Sequence, residues 1–441
     1  MHSKTLTRQQ LKTVVRASIH PGIGIARLGN SRDEYVISPE TIAPQWVSAG
    51  SRHDANGAIK RQAARFRIYG YNLENEVVGE LTLDDADIEW RAHVVNRKAE
   101  WFEFEKAMDI EDAAHTQLRL RNADRVGAER EALVIDAGAR AVSGRRVSGP
   151  AHEFTGGTFL GMPVSLGELR TDESGRLLVL GGYGHSGSPT GMPIYDPNVS
   201  NHFANAAGWF DDTSDGPVSA SVKINGVVIP VDSAWVVVAQ PAFSPTTVGW
   251  RTLYDLMTDT YHANGWLAPP ERPSFSRDVL PIFQRLSGLQ WVNKGFATLF
   301  GQGAPFDFNN PLLLAKLSRT DETFSHLRQA VFNAFRGANN AVHEPRTWPW
   351  LYGDTFGADQ ESAHDHLAPS PSRSQVLKRW VKGEFHADWT PDHKPPAHLD
   401  DVNLADQPAM LDQAALHFCL ADAFHPGIEL SWPMRHISLY R

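Results

Sequence analysis

The sequence predicts an α+β protein with a β-rich N-terminal half and a mainly helical C-terminal half. Two patterns carry this expectation. Up to about residue 240, apolar residues alternate or form short runs bounded by Gly and Pro; beyond about 250 they recur at offsets of three and four. The boundary is placed at 247/248. Residues 1–247 form the β-rich domain and 248–441 the mainly helical domain carrying the cysteine, and the two halves can pack as one unit.

Along the chain, residues 65–71 alternate, with Phe66 and Ile68 on one face and Arg65 and Arg67 on the other, as in a half-buried strand. Residues 176–180 form a short apolar run that stops at Gly181-Gly182. Within 221–229, Asn225-Gly226 separates two apolar runs; this pair accepts positive φ at both turn positions, which predicts a hairpin. Residues 233–240 form another strand, closed by Pro241. In the second half, Phe324, Leu327, Val331, Phe332 and Phe335 lie on one face of a helix. Val376, Leu377, Trp380 and Val381 do the same, and Gly383 stops that helix. A third helix is expected over about residues 409–420. Between 388 and 406 the chain is rich in Pro, His and Asp and reads as a long loop.

Composition narrows the function. With 441 residues, 41% hydrophobic and 21% charged, the chain is an ordinary globular one able to bury a large core. Lys plus Arg total 42 against 51 Asp plus Glu, a net charge of −9. That argues against nucleic-acid binding, which needs basic stripes, and suits a soluble protein handling small molecules. No apolar run approaches the roughly 18 residues of a membrane helix. The N-terminus lacks the continuous apolar core of a secretory signal, so no membrane role and a cytoplasmic location are expected, with non-classical export left open. Cys419 is the only cysteine, so neither an intrachain disulfide nor a cysteine-rich metal site can form. By itself a lone cysteine reads as a small buried hydrophobe.

Several motifs fall short of a site. Gly182-Tyr183-Gly184-His185-Ser186-Gly187 spells a dinucleotide fingerprint, but Pro189, Gly191 and Pro193 follow where a helix must open. A glycine-rich turn is the better reading. Ser186 is one glycine short of a nucleophile elbow. Asp211, Asp212 and Asp215 crowd together without the spacing of a calcium loop, which favours a turn built on side-chain-to-backbone hydrogen bonds. His343, His364, His366, His386, His393 and His398 are dense enough to keep a zinc, copper or iron site open, although no metal is assigned. Near the end, Asp412 and Cys419 lie seven apart, two turns along nearly one helix face. A carboxylate so placed can take up protons during oxidative chemistry or equally be a surface residue on a helix end; spacing alone does not decide.

Long segments in order give a stronger signal. They are Ile19-His20-Pro21-Gly22-Ile23-Gly24-Ile25-Ala26-Arg27-Leu28-Gly29-Asn30, Lys60-Arg61-Gln62-Ala63-Ala64-Arg65-Phe66-Arg67, and Leu166-Gly167-Glu168-Leu169-Arg170-Thr171-Asp172. The Gly208–Val218 stretch, Trp350-Leu351-Tyr352-Gly353-Asp354, and the run from Cys419 to Phe424-His425-Pro426-Gly427-Ile428-Glu429 complete the set. Through these the chain resembles the L-lysine epsilon-oxidase and glycine oxidase family, whose cofactor is cysteine tryptophylquinone. The resemblance runs along nearly the whole chain.

The resemblance implies an amino-acid or primary-amine oxidase of the L-lysine 6-oxidase type, giving hydrogen peroxide and ammonia. It implies that Cys419 is the sulfur joined to a tryptophan, that an upstream acid matched by Asp412 takes part in forming the cofactor, and that a separate flavoprotein assists. His417 and His343 join Asp412 as candidate bases for removing the proton from the amine-bearing carbon. The substrate is a small amino acid or amine, its carboxylate met by an arginine, and homo-oligomerisation stays open. The chain also departs from the family. Ala421-Asp422 stand where glycines are usual, and only 22 residues follow Cys419, with Trp432 the sole tryptophan among them. The family's partner tryptophan lies further downstream. Three expectations follow, in this order: a truncated gene product, a second polypeptide that completes the site, or Trp432 in the role. The rival to the oxidase is a catalytically inactive scaffold or partial subunit of the same family.

Overall fold

The computed structural model describes residues 5–44, 49–103, 119–193, 195–196, 205–242, 245–337, 347–349, 368–392 and 394–421. Its strand-rich first half and helical second half make the α+β fold expected from the sequence.

The first half is organised by one mixed sheet, with 15 strands among the described residues. Its main strands are β1 (Arg16–His20), β2 (Ile23–Arg27), β3 (Tyr35–Ile37), β4 (Arg61–Tyr71), β5 (Val77–Leu81), β6 (Asp87–Ala92), β7 (Arg140–Ser143), β8 (Glu168–Thr171), β9 (Leu177–Leu180), β10 (Ser214–Ile224), β11 (Val227–Ile229) and β12 (Ala234–Ala239). The hydrogen-bonded order is β8-β9-β4-β2-β12-β10-β6-β7. At eleven residues, β4 is long enough to pair β9, β2 and β3 near its start and β1 and β5 near its end. The predicted hairpin is present: Ile224 pairs with Val227, and Asn225 and Gly226 have φ of 50° and 81°. β2 lies parallel to β12, Ile23 opposite Trp235 and Arg27 opposite Ala239. Such close pleating needs Gly24, since a Cβ there would lie 2.3 Å from the Phe66 ring.

One expectation needs correcting. The alternation in β4 suggested that Arg65 and Arg67 face water, but both faces of the strand are covered. Phe66 and Ile68 enter the apolar core, while buried Arg67 bonds Glu40 and Glu80, and Arg176 holds Glu80 at 2.6 and 3.0 Å. Burial alone would push the Glu40 carboxyl up; the guanidiniums of Arg67 and Arg65 outweigh it and hold the group down at about 2. A sheet face packed by matched ion pairs looks in sequence like a solvated one.

The helices are α1 (Arg8–Thr13), α2 (Leu253–Ala263), α3 (Leu280–Gly288), α4 (Lys294–Phe300), α5 (Pro311–Leu317), α6 (Ser325–Ala334), α7 (Pro371–Val381) and α8 (Gln407–His417). α6, α7 and α8 coincide with the three predicted helices to within a few residues. α3 through α7 enclose an aromatic core in which Phe283 stacks on Phe308 at 4.9 Å and meets Trp380 edge-on at 5.0 Å. Gly383, with φ of 81°, ends the turn after α7. The predicted long loop contains two single helical turns, Leu399–Asp401 and Leu404–Asp406. These lead into α8, which packs on the sheet: Leu411 joins Tyr69 and Tyr71, while Ala415 and Leu416 join Ile25 and Val237.

Replacing Glu80 by Ala should take the shared carboxylate from two buried guanidiniums, leaving Arg67 only Glu40 and Arg176 only the longer contact to Asp172, and cost about 3 kcal/mol. Urea unfolding measures this; a loss below about 1 kcal/mol would show that the network carries no stability.

Candidate functional site

Cys419 lies just beyond the C-terminus of α8, and three connections hold it there. Its own N–H closes onto the Leu416 carbonyl at 3.2 Å. Its carbonyl accepts from Leu253 N–H at 2.9 Å, and the neighbouring Ala421 N–H reaches the Arg251 carbonyl at 3.1 Å, so the segment runs antiparallel to the start of α2. Gly249 makes room, because a Cβ there would lie 1.8 Å from Leu420. The start of α2 is fixed by a capping box between Thr252 and Asp255. Asp255 is in turn gripped by Arg285 and by Arg373 at 2.7 Å, and both also bond the Trp250 carbonyl. The helical half thereby sets the backbone that receives Cys419.

The thiol itself is 2% exposed, among Ile25, Val237, Ala239, Leu253, Ala415 and Leu416. Trp235 and Tyr254 pack against the same cluster, so the sulfur's neighbourhood is not purely aliphatic. Burial pushes the thiol's pKa up; the guanidinium of Arg27, from the end of β2, opposes this in part. Arg27 Nη2 is 3.9 Å from Sγ and 3.3 Å from the Phe418 carbonyl, and its Nη1 donates to the Gln240 carbonyl at 3.1 Å. No aspect of residue spacing pointed to Arg27, although it lay inside the first matching segment.

Asp412 lies in the middle of α8, nearly two turns before Cys419. Its Oδ1 accepts from Gly22 N–H at 2.7 Å and lies 3.0 Å from His20 Nδ1, whose Nε2 is 3.0 Å from the Tyr71 hydroxyl. Here Asp412 clamps α8 to the turn between β1 and β2. Sequence reasoning gave His20 no role. His417, between Asp412 and Cys419, has its imidazole pushed down to about 4, chiefly by burial, with Arg373 adding to the effect and Asp255 opposing it. His343 and Trp432 lie outside the described residues, as do His364, His366, His393 and the Trp350–Asp354 segment.

The remaining motifs resolve into structure. The Gly182–Gly187 run is not the expected turn but a loop that ends in a two-residue strand, Ser186–Gly187, paired with Phe210–Asp211, with no helix behind it. Gly182 packs so closely on Asp212 that a Cβ would be 2.3 Å from Oδ2, and His185 N–H donates to the same oxygen at 3.0 Å. His185 and Ser186 face a groove of about 420 Å³ with Met162, Val164 and Phe210. The acidic cluster splits three ways: Asp211 to Lys98 and Thr213, Asp212 to His185, and Asp215 to Trp235. Only Asp211, accepting from Thr213 N–H, makes the local side-chain-to-backbone turn the spacing favoured; Asp212 binds a distant backbone N–H and Asp215 lies in β10. Among the described residues, no three His, Cys, Asp or Glu side chains gather as metal ligands, and no helix is long and apolar enough to cross a membrane.

Known proteins align with this architecture. The family model for the L-lysine epsilon oxidase N-terminal region matches residues 20–238, and that for the L-lysine epsilon oxidase C-terminal domain matches residues 353–441. L-lysine 6-oxidase from Marinomonas mediterranea is 30% identical over 96% of this chain. The chain spans 64% of that relative's length. Crystal structures of L-Lys epsilon-oxidase from the same organism superpose on it. The Schiff base intermediate with L-Lys has a TM-score of 0.71 at 26% identity, covering 95% of this chain and 66% of that one. A second structure of the same enzyme gives 0.70 at 27% identity, with 95% and 66% covered.

Two outcomes check this geometry. Because the folded imidazole of His417 protonates near 4 rather than 6.5, stability is fully present above pH 6.5 and is lost as pH falls towards 4. NMR titration, with His417→Gln for assignment, should find one histidine with a midpoint near 4; a midpoint near 6.5 would contradict the burial. Asp412→Ala should cost about 1–3 kcal/mol by unpairing Gly22 N–H and His20, read as a lowered denaturant midpoint; an unchanged midpoint would remove the clamp.

Proposed function

Since the chain belongs to the L-lysine epsilon-oxidase family, we propose that it acts in the oxidative deamination of an amino acid or primary amine, through a cysteine tryptophylquinone built on Cys419. The observation that carries the reading is the position of Cys419. The one cysteine is fixed at the join between the sheet and the helices, with a guanidinium at its sulfur and aromatic residues at the edge of its cluster. A cysteine serving only as core filler needs no cation beside it.

The described residues fit the sulfur half of such a group. Cys419 would hold it, Arg27 would steady the sulfur, and the pairing of 419–421 with 251–253 would fix the backbone. When formed, the quinone supplies an electrophilic carbonyl and an electron sink that ordinary side chains lack. Joining a thiol sulfur to an indole carbon removes a hydrogen from each, with two electrons that an oxidant must accept. A flavoprotein partner is proposed for that step. The ring partner is proposed to be a tryptophan downstream of Cys419 in a longer chain, a tryptophan of a second polypeptide, or Trp432.

The protein's own proton-handling groups are few. His417 stays neutral at neutral pH and can accept a hydrogen bond, but an imidazole held near 4 is a weak general base. Asp412 orients the His20 imidazole, the arrangement in which a carboxylate fixes a histidine tautomer. The substrate is proposed to be L-lysine or a related amino acid, after the relative's activity.

Peptide mass spectrometry of the chain co-expressed with the flavoprotein should find the Cys419 peptide joined to an oxygenated tryptophan peptide, and identify which one. Peroxide release across an amino-acid panel that includes L-lysine and glycine should accompany it. An unmodified Cys419 with no peroxide would overturn the oxidase and leave a scaffold or partial subunit of the family.

A further inference from the structure

The family reading explains why a cysteine stands at 419 but not what makes its sulfur reactive in so apolar a place. Arg27 answers that. It is 8% exposed, and among the described residues it forms no ion pair with a carboxylate. Its partners among the described residues are two carbonyl oxygens and Sγ. A guanidinium is always charged and costs several kcal/mol to bury, a cost that carbonyl dipoles offset only in part. Of the described groups it touches, the Cys419 sulfur alone can become an anion. Arg27 also faces the C-terminal end of α8, where a cation is favoured by the helix dipole, and it ties the Phe418 carbonyl there.

Among the described residues, the other charged groups around Cys419 are already committed. Asp255 on α2 is held by Arg285 and Arg373, and Asp412 on α8 by His20 and Gly22. His417 is uncharged above about pH 4. From β12 the cluster receives Val237 and Ala239, which carry no charge. Arg52 is held down by burial first and by Arg27 second.

We propose that Arg27 is the positioning residue that stabilises the Cys419 thiolate and fixes the direction of its sulfur, preparing it for bonding to the tryptophan ring. The purpose of this role rests on the oxidase reading; the ionisation itself does not. The thiol gives its proton to solvent or base, and the resulting sulfur anion is paired by the guanidinium. Burial raises the thiol's pKa and Arg27 lowers it, so removing the guanidinium leaves the burial effect unopposed.

The single cysteine makes the test direct. The full chain, expressed without the flavoprotein so that Cys419 remains a thiol, is alkylated with iodoacetamide over a range of pH and followed by mass. Changes in access alter the plateau rate, whereas changes in charge alter the midpoint. Arg27→Met should move the midpoint up by about one unit or more, a roughly tenfold loss of thiolate at a given pH. Arg27→Lys, which restores a cation, should recover most of it. Should Arg27→Met not fold, Arg27→Gln keeps donors to the Gln240 and Phe418 carbonyls and carries the same expectation. A folded neutral variant with the wild-type midpoint overturns the proposal. Peptide mapping of wild type and Arg27→Gln, each co-expressed with the flavoprotein, separates the two readings. A cross-link missing from both while the midpoint still moves removes the oxidase but not the thiolate pairing. A cross-link undiminished in Arg27→Gln removes the preparatory role.

Discussion

The join between the end of α8 and the beginning of α2 is the constraint on which the rest depends. Cys419 offers its carbonyl to Leu253 and its sulfur to Arg27, so one residue meets the helical half through its backbone and the sheet through its side chain. If α8 slid by a turn, the thiol would leave Arg27 and Asp412 would leave Gly22 and His20 together. The middle of the helix and the residue just past its end are therefore fixed in one register by two polar contacts, with Ala414, Ala415 and Leu416 buried between them.

Around that join, the two halves reach stability differently. The sheet buries one face in aliphatic side chains and covers part of the other with the Arg67–Glu40–Glu80–Arg176 network. The helices close on aromatic rings. At the contact between them, Asp255 unites a helix cap, two arginines and the Trp250 carbonyl. Such matched ion pairs give specificity of arrangement more than net stability. That suits a join whose geometry has to be held in one arrangement.

How legible all this was depends on how local the signal is. Asn225-Gly226, Gly383 and the spacing of Phe324 through Phe335 are instructions read within a few residues, and they placed turns and helices correctly. The covered side of β4 was misread because an arginine facing a buried glutamate and one facing water have the same alternation. Arg27 and His20 were visible only as letters within a matching segment. Their partners lie 392 residues away, and no periodicity records that separation. The cysteine itself was found by resemblance, since spacing alone described it as ordinary core.

The central claim is that Cys419 gives up its thiol to a carbon–sulfur bond, and with one cysteine per chain the state of that sulfur can be counted. The chain co-expressed with the flavoprotein would be denatured, fully reduced with a thiol reductant, cleared of it, and titrated with a chromogenic disulfide. A thioether survives reduction, so the account predicts close to no titratable thiol per chain. One thiol per chain would contradict it.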